Sequence, residues 1–137
     1  MATFNKFNQF VEDVAEKVHN LGADQFTIAL SNVAPTAGNA VLADITQISY
    51  TNLSARDVTT TSSVQTGGTY KLILADLVLT ASGAVATFRY VVLYNNTPTS
   101  PLDPLVGWWD HGSAVTLANG ETYTIDFSAA NGVLTIA

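Results

Sequence analysis

From Gln25 the apolar period changes to two in short runs, which are broken by tight-turn dipeptides and by a loop over 32–39 around Pro35 and Gly38. Successive side chains on a strand point to opposite faces, so a period of two specifies half-buried strands and excludes helices over most of the chain. Phe26, Ile28 and Leu30 alternate with Thr27, Ala29 and Ser31. Gly67 with Gly68 and Asn119 with Gly120 supply hairpin-type turns, and Ser82 with Gly83 and Asn131 with Gly132 supply further turns. Residues 41–49 make a weaker strand, and the polar, β-branched run 58–65 reads as an exposed edge strand.

In residues 70–80, Tyr70, Leu72 and Leu74 share one face while Leu77 and Leu79 fall on the other. This phase slip at Ala75 and Asp76 predicts a bulge or bend where the chain passes between sheets. Residues 88–94 are apolar on both faces, as a central strand or an interface strand would be. Pro98, Pro101 and Pro104 make 95–104 an irregular exposed loop, after which 105–109 resumes the sheet. Asn119 and Gly120 predict a hairpin joining 115–117 to 123–127, and 133–136 forms a last strand. About eight strands spaced by roughly 8–12 residues give the pattern of an antiparallel β-sandwich or jelly roll. No linker or repeat divides residues 1–137, so the fold class is mainly β in a single domain.

The first twenty residues follow another rule. Phe4, Phe7, Val11, Val14, Val18 and Leu21 recur at alternating steps of three and four, which predicts an amphipathic helix over about 3–21. Thr3 can cap it, Gly22 can stop it in the left-handed conformation, and His19 suits its negative end. Phe10 widens the stripe. Two destinations remain open for that face: the chain's own sheet, or a second subunit.

Charge and composition narrow the function. The chain has 5 basic and 11 acidic residues, a net charge of −6, and no basic cluster with which to neutralise a phosphate backbone, so no nucleic-acid partner is expected. Hydrophobic residues make up 47% and charged residues only 12%, a balance that suggests part of the surface is covered by a partner. There is no Cys, so the fold needs no disulfide or thiolate metal site. The N-terminal residues lack the pattern of a secretory signal, and no apolar run reaches about 18 residues, so synthesis in a cytoplasm and no membrane span are expected.

Reactive constellations are sparse. His19 has no second ligand at helical spacing. Asp110, His111 and Ser113 lie within four residues of one another, whereas catalytic triads assemble from separated elements, so a solvated turn is expected there. Acidic residues are scattered singly, without the paired carboxylates of a glycosidase or the dense acids of a calcium loop. The reading is a non-enzyme with no cofactor and no metal. Trp108 and Trp109 should point to opposite faces of their strand, one into the core and one outward. An outward Trp could anchor a protein interface, stack a sugar, or lie under the 95–104 loop.

Four stretches carry a resemblance: FNKFNQFVEDVAEKVHNLGADQFTIALSN, NAVLADITQISYTNLSARDVTT, GGTYKLILADLVLTASGAVATFRYVVLYNNTP and LVGWWDHGSAVTLANGETYTIDFSAANGVLTIA. Together they span nearly the whole chain, which resembles small virion structural proteins of tailed bacteriophages. Within that group it is similar to capsid cement, or decoration, proteins. The resemblance implies a protein that binds the outer surface of the major capsid protein shell and stabilises it. It also implies a homo-oligomer, a dimer more readily than a trimer, on the capsid exterior after synthesis in the host cytoplasm. It supplies no residue-level site. Tail, head–tail joining or fibre-associated virion parts are the nearest alternatives, and a carbohydrate-binding β-sandwich module is a third. Interface residues are expected among Phe4, Phe7, Val11, Val14, Val18, Leu21, Trp108 and Trp109.

Overall fold

The computed structural model describes residues 2–137. Ten strands and one α-helix follow in the order β1 (Asn5–Lys6), α1 (Gln9–Ala15), β2 (Phe26–Ser31), β3 (Asp57–Val58), β4 (Thr60–Thr66), β5 (Thr69–Leu74), β6 (Leu77–Thr80), β7 (Phe88–Asn95), β8 (Leu105–Val115), β9 (Thr122–Ile125) and β10 (Leu134–Ile136). The fold is mainly β, with every strand pair antiparallel. The strands form a five-stranded sheet ordered β1-β8-β7-β2-β3, a three-stranded sheet β10-β5-β4 and a two-stranded sheet β6-β9.

The five-stranded sheet is the organiser because it is apolar on both faces. β2 is buried along its whole length and pairs with β7 from Phe26 opposite Asn95 to Ser31 opposite Tyr90. Its Phe26, Ile28 and Leu30, with Val91 and Leu93 of β7, enter a cluster that also takes Leu72 and Leu74 of β5, Leu79 of β6 and Ile125 of β9. All three sheets therefore share one core. On the opposite face, Ala29, Val92, Tyr94 and Leu105 are covered by Phe7 and Ile45 in a second, smaller cluster. Burial on both sides explains why β7 carries no polar alternation.

The phase slip at Ala75 and Asp76 marks the crossing between sheets. β5 belongs to the three-stranded sheet and β6 to the two-stranded one. Asp76 Oδ1 accepts the Phe127 amide at 2.9 Å, tying the bend to the segment after β9.

Three expectations are corrected. The N-terminal helix does not run over 3–21. Asn5 and Lys6 pair with Trp108 and Gly107 as an edge strand, and the helix is confined to Gln9–Ala15. It ends in a Schellman motif. Lys17 takes the left-handed conformation at φ 68°, Val18 N donates to Asp13 O at 2.8 Å, and Lys17 N donates to Val14 O at 3.4 Å. Gly22 is not the stop. Second, residues 41–49 form no strand but a short 3₁₀ turn at Leu42–Asp44. Asp44 Oδ2 accepts the Ala40 and Val41 amides at 2.9 and 3.2 Å, which fixes the turn and holds its carboxyl below the usual carboxylate range.

Third, Asn119 and Gly120 make the expected turn, with Gly120 at φ 85°, but no hairpin between 115–117 and 123–127. Val115 pairs with Phe88, and Leu117 O accepts the Val85 amide. Gly120 N instead donates to Ala81 O and Ala81 N to Glu121 O, delivering β9 to β6. Turn chemistry chose the local bend, and core burial chose the partner.

Candidate functional site

The six-residue stripe does not survive as one helical face. Phe7 is fully buried, seated against the Trp108 ring at 4.6 Å between centroids on the far side of the five-stranded sheet. Phe4 lies half-buried on the near side, 5.3 Å from the Trp109 ring, so chain entry places adjacent stripe members on opposite faces of one sheet. Leu21 joins the main core, and Val18 is half-buried beyond the helix. Only Val11 and Val14 remain in α1, Val14 packing partly on the core while Val11 stays 55% exposed. The face that α1 buries carries Phe10 and Asp13.

Val11 and Val14 form one wall of an apolar groove of about 560 Å³. Phe4, Lys6 and Phe10 line it from the N-terminal segment, and the opposite wall is β10, where Ile136 is 42% exposed. Two sheet edges border this groove, β1 and β10 being terminal strands of their sheets.

Trp108 and Trp109 do project to opposite faces, one packing on each cluster. Neither is freely exposed, and Phe4, Phe7 and Phe127 are their ring partners. Trp109 borders a smaller hollow of about 250 Å³ with Val91, His111, Tyr123 and Asp126. There the Tyr123 hydroxyl and His111 Nδ1 are 3.0 Å apart, and burial raises the Tyr123 hydroxyl above its ordinary range.

Asp110, His111 and Ser113 do not converge. They sit at and beyond the end of the regular β7–β8 pairing, where Asp110 opposes Tyr90 but Val115 already opposes Phe88, with Gly112 at φ 93° in the bulge. Asp110 is held by Arg89 at 2.8 and 3.0 Å and by the Gly112 amide, and the Arg89 guanidinium lowers its pKa. The exposed bulge is solvated as the turn reading expected, although it continues a strand.

A polar cluster escaped the sequence reading. His19, Asp13 and Asn95 are all buried. Asn95 Oδ1 accepts the Thr97 amide, which fixes its NH₂ group toward Asp24 Oδ2 at 2.6 Å and His19 Nδ1 at 3.1 Å. An NH₂ group can only donate, so His19 Nδ1 accepts and the ring is the neutral, Nε2-protonated tautomer. Burial lowers the His19 pKa, opposed by the charges of Asp13 and Asp24. The signal available in the sequence was weak: two acids and a His on elements whose proximity to Asn95 is a tertiary fact.

Among the described residues, no group of three or more His, Cys, Asp or Glu side chains is placed to hold a metal ion, and no helix is long and apolar enough to cross a membrane. No protein-family model, curated protein or solved structure matches this chain.

Proposed function

We propose that this chain is a structural binding protein, and specifically the capsid cement protein that its sequence resembles. In this proposal the three sheets act together as a sandwich of jelly-roll type, a rigid body that carries docking surfaces and no reaction centre. The observation that supports the reading is the apolar groove between α1 and β10, where Val11 and Ile136 stand exposed beside two open strand edges. Contiguous exposed apolar surface is a feature of protein-interaction sites.

An extended segment of the major capsid protein would bury Val11, Val14 and Ile136 while pairing its backbone with β10. Many weak copies of such a contact, repeated over a shell, stabilise the shell without one strong bond. Val11→Asp should abolish binding to shells assembled from the major capsid protein while leaving the circular dichroism spectrum unchanged. The reading is overturned if those shells never acquire the wild-type chain, or if Val11→Asp is acquired equally well. Particles decorated at a single vertex would favour a tail or head–tail joining role instead.

The hollow beside Trp109, with Tyr123, His111 and Asp126, is the one feature that favours a carbohydrate module. Trp109 already gives ring contact to Phe4 and Phe127, which leaves less of it for a sugar face.

A further inference from the structure

Every sheet has two terminal strands, and an unpaired edge invites another chain unless it is short, charged, covered or bent. β1 has two residues and includes Lys6, and β3 has two residues and includes Asp57. β10 has three residues. β6 is covered by Ser54, whose backbone amide donates to Thr80 O and whose Oγ accepts the Thr80 amide. β9 is four residues long and flanked by Glu121 and Asp126. β4 differs from all of these. It is seven residues long, TTSSVQT, with neither a charge nor a proline, and it ends the order β10-β5-β4. A register shift between Thr60 and Ser62 breaks its ladder at one end and leaves Ser62 to Thr66 in regular pairing.

Charge singles out the same edge. The chain carries 11 acidic residues and repels a second copy over most of its surface, yet residues 58–75 contain no acid and only Lys71. Val64, at the middle of the regular stretch, is 56% exposed.

We propose that β4 is a dimerisation edge, pairing antiparallel with β4 of a second copy of this chain about a twofold axis through Val64. The register follows from the hairpin. Gly67 and Gly68, both at positive φ, form a two-residue turn, so Thr66 and Thr69 are a hydrogen-bonded pair. Bonded pairs alternate along the ladder, which makes Val64–Lys71 and Ser62–Ile73 the next two. The Ser63 and Gln65 amides then face away from β5. The turn at residues 20–24 packs on the inward Ser63 side chain at Gly22 and donates no backbone hydrogen bond to β4.

Centring the axis on Val64 sets Ser63 opposite the partner copy's Gln65 position and forms about four new backbone hydrogen bonds. The two Val64 side chains meet directly as a non-bonded pair on the outer face, with Ser62 opposite Thr66 on either side. β-branched residues favour such a cross-strand contact. The joined sheet would have six strands, and the two Lys71 side chains would lie three strand spacings apart, roughly 14 Å, beyond a Debye length at physiological salt. This assignment does not depend on the shell-binding reading, which uses a different surface.

Because the protein has no native Cys, single-cysteine variants read the register directly. A non-bonded antiparallel pair has Cα atoms about 4.5 Å apart, within disulfide reach, whereas residue 65 and its own symmetry mate would lie beyond about 7 Å. Under mild oxidation Val64→Cys should yield a disulfide-linked dimer at least about tenfold faster than Gln65→Cys or the similarly exposed Val78→Cys. Wild-type protein should sediment as a concentration-dependent dimer, and Val64→Lys should remain monomeric with an unchanged circular dichroism spectrum. In wild-type protein, exchange of the Ser63 and Gln65 amides should slow as concentration rises, a readout that needs no variant. Equal cross-linking at positions 64 and 78 would sink the proposal. So would a wild-type chain that stays monomeric at millimolar concentration, or a dimer in which protection appears at Val11 and Ile136 while β4 exchanges unchanged.

Discussion

Phe7 and Val11 occupy neighbouring positions of one sequence stripe and opposite physical environments, so substituting each gives the sharpest test of how the N-terminal segment is built. Phe7 is fully buried with Ala29, Ile45, Val92, Tyr94 and Leu105, and its ring packs on Trp108 at 4.6 Å. Truncating it to Ala removes the buried ring and leaves a cavity, at a cost of about 3–5 kcal/mol. The aromatic contact accounts for about 0.5–1.5 kcal/mol of that. Against a total stability of about 5–15 kcal/mol, Phe7→Ala should shift the urea midpoint far or leave the chain partly unfolded. Val11 is more than half exposed in the first turn of α1, where a carboxylate meets the positive end of the helix. Val11→Asp should therefore stay within about 0.5 kcal/mol of wild type. Urea titrations read by circular dichroism and by Trp fluorescence measure both, with equal slopes confirming a common unfolded state. A cost below ~1 kcal/mol for Phe7→Ala, or above ~2 kcal/mol for Val11→Asp, would refute this packing of the N-terminal segment.

Two further outcomes follow from the interior. His19 has a lowered pKa in the folded chain, chiefly through burial, so the unfolded chain binds more protons near pH 6 and stability rises with pH there. The contribution is complete above the unfolded value of about 6.5 and is lost as pH falls from there toward the lowered folded pKa. Asp44 and Asp110 are also lowered, but they titrate in the carboxylate range and leave the window between about pH 7 and 5 to His19. Urea midpoints should drop across that window for wild type and much less for His19→Gln, and parallel pH profiles would contradict the buried neutral tautomer. Gly107 lies under β1, where an added Cβ would sit 2.7 Å from the Asn5 carbonyl oxygen and collide with the Phe4 ring. Gly107→Ala should cost about 1–3 kcal/mol and speed exchange of the Phe7 amide, which donates to Val106 O. Unchanged melting and exchange would show that the edge strand yields freely.

Much of the β architecture was legible because its signals are local. Alternation placed β2, the break in phase placed the crossing between β5 and β6, and the doubly apolar run left β7 as a central or an interface strand, of which the structure shows the first. The polar run at 58–65 was expected as one exposed edge strand; Thr60–Thr66 is such an edge, but Val58 is buried in β3 of another sheet. The interaction surface was legible only in part. Val11 and Val14 do line the exposed groove, but Phe7 and Leu21 belong to the core, and Ile136 carried no periodic signal in a strand of three residues. The His19 cluster stayed hidden because Asn95 and Asp24 lie 71 residues apart and nothing local pairs them.

The amino-acid order alone settled the mainly β composition, the turn sites and the acid-free stretch around β4, since each depends on the geometry of neighbouring residues or on their charge. Three-dimensional packing decided the rest. A heptad-like stripe could have made one long helix, but the β8 edge at Trp108 and Gly107 captured Asn5 and Lys6, and the second cluster drew in Phe7. An Asn-Gly turn could have closed a hairpin, but β8 was already paired to β7 and the open ladder belonged to β6. Local preferences differ by about 1 kcal/mol or less per residue, whereas burying one large side chain contributes about 1.5–3 kcal/mol, so wherever the two disagreed the core prevailed.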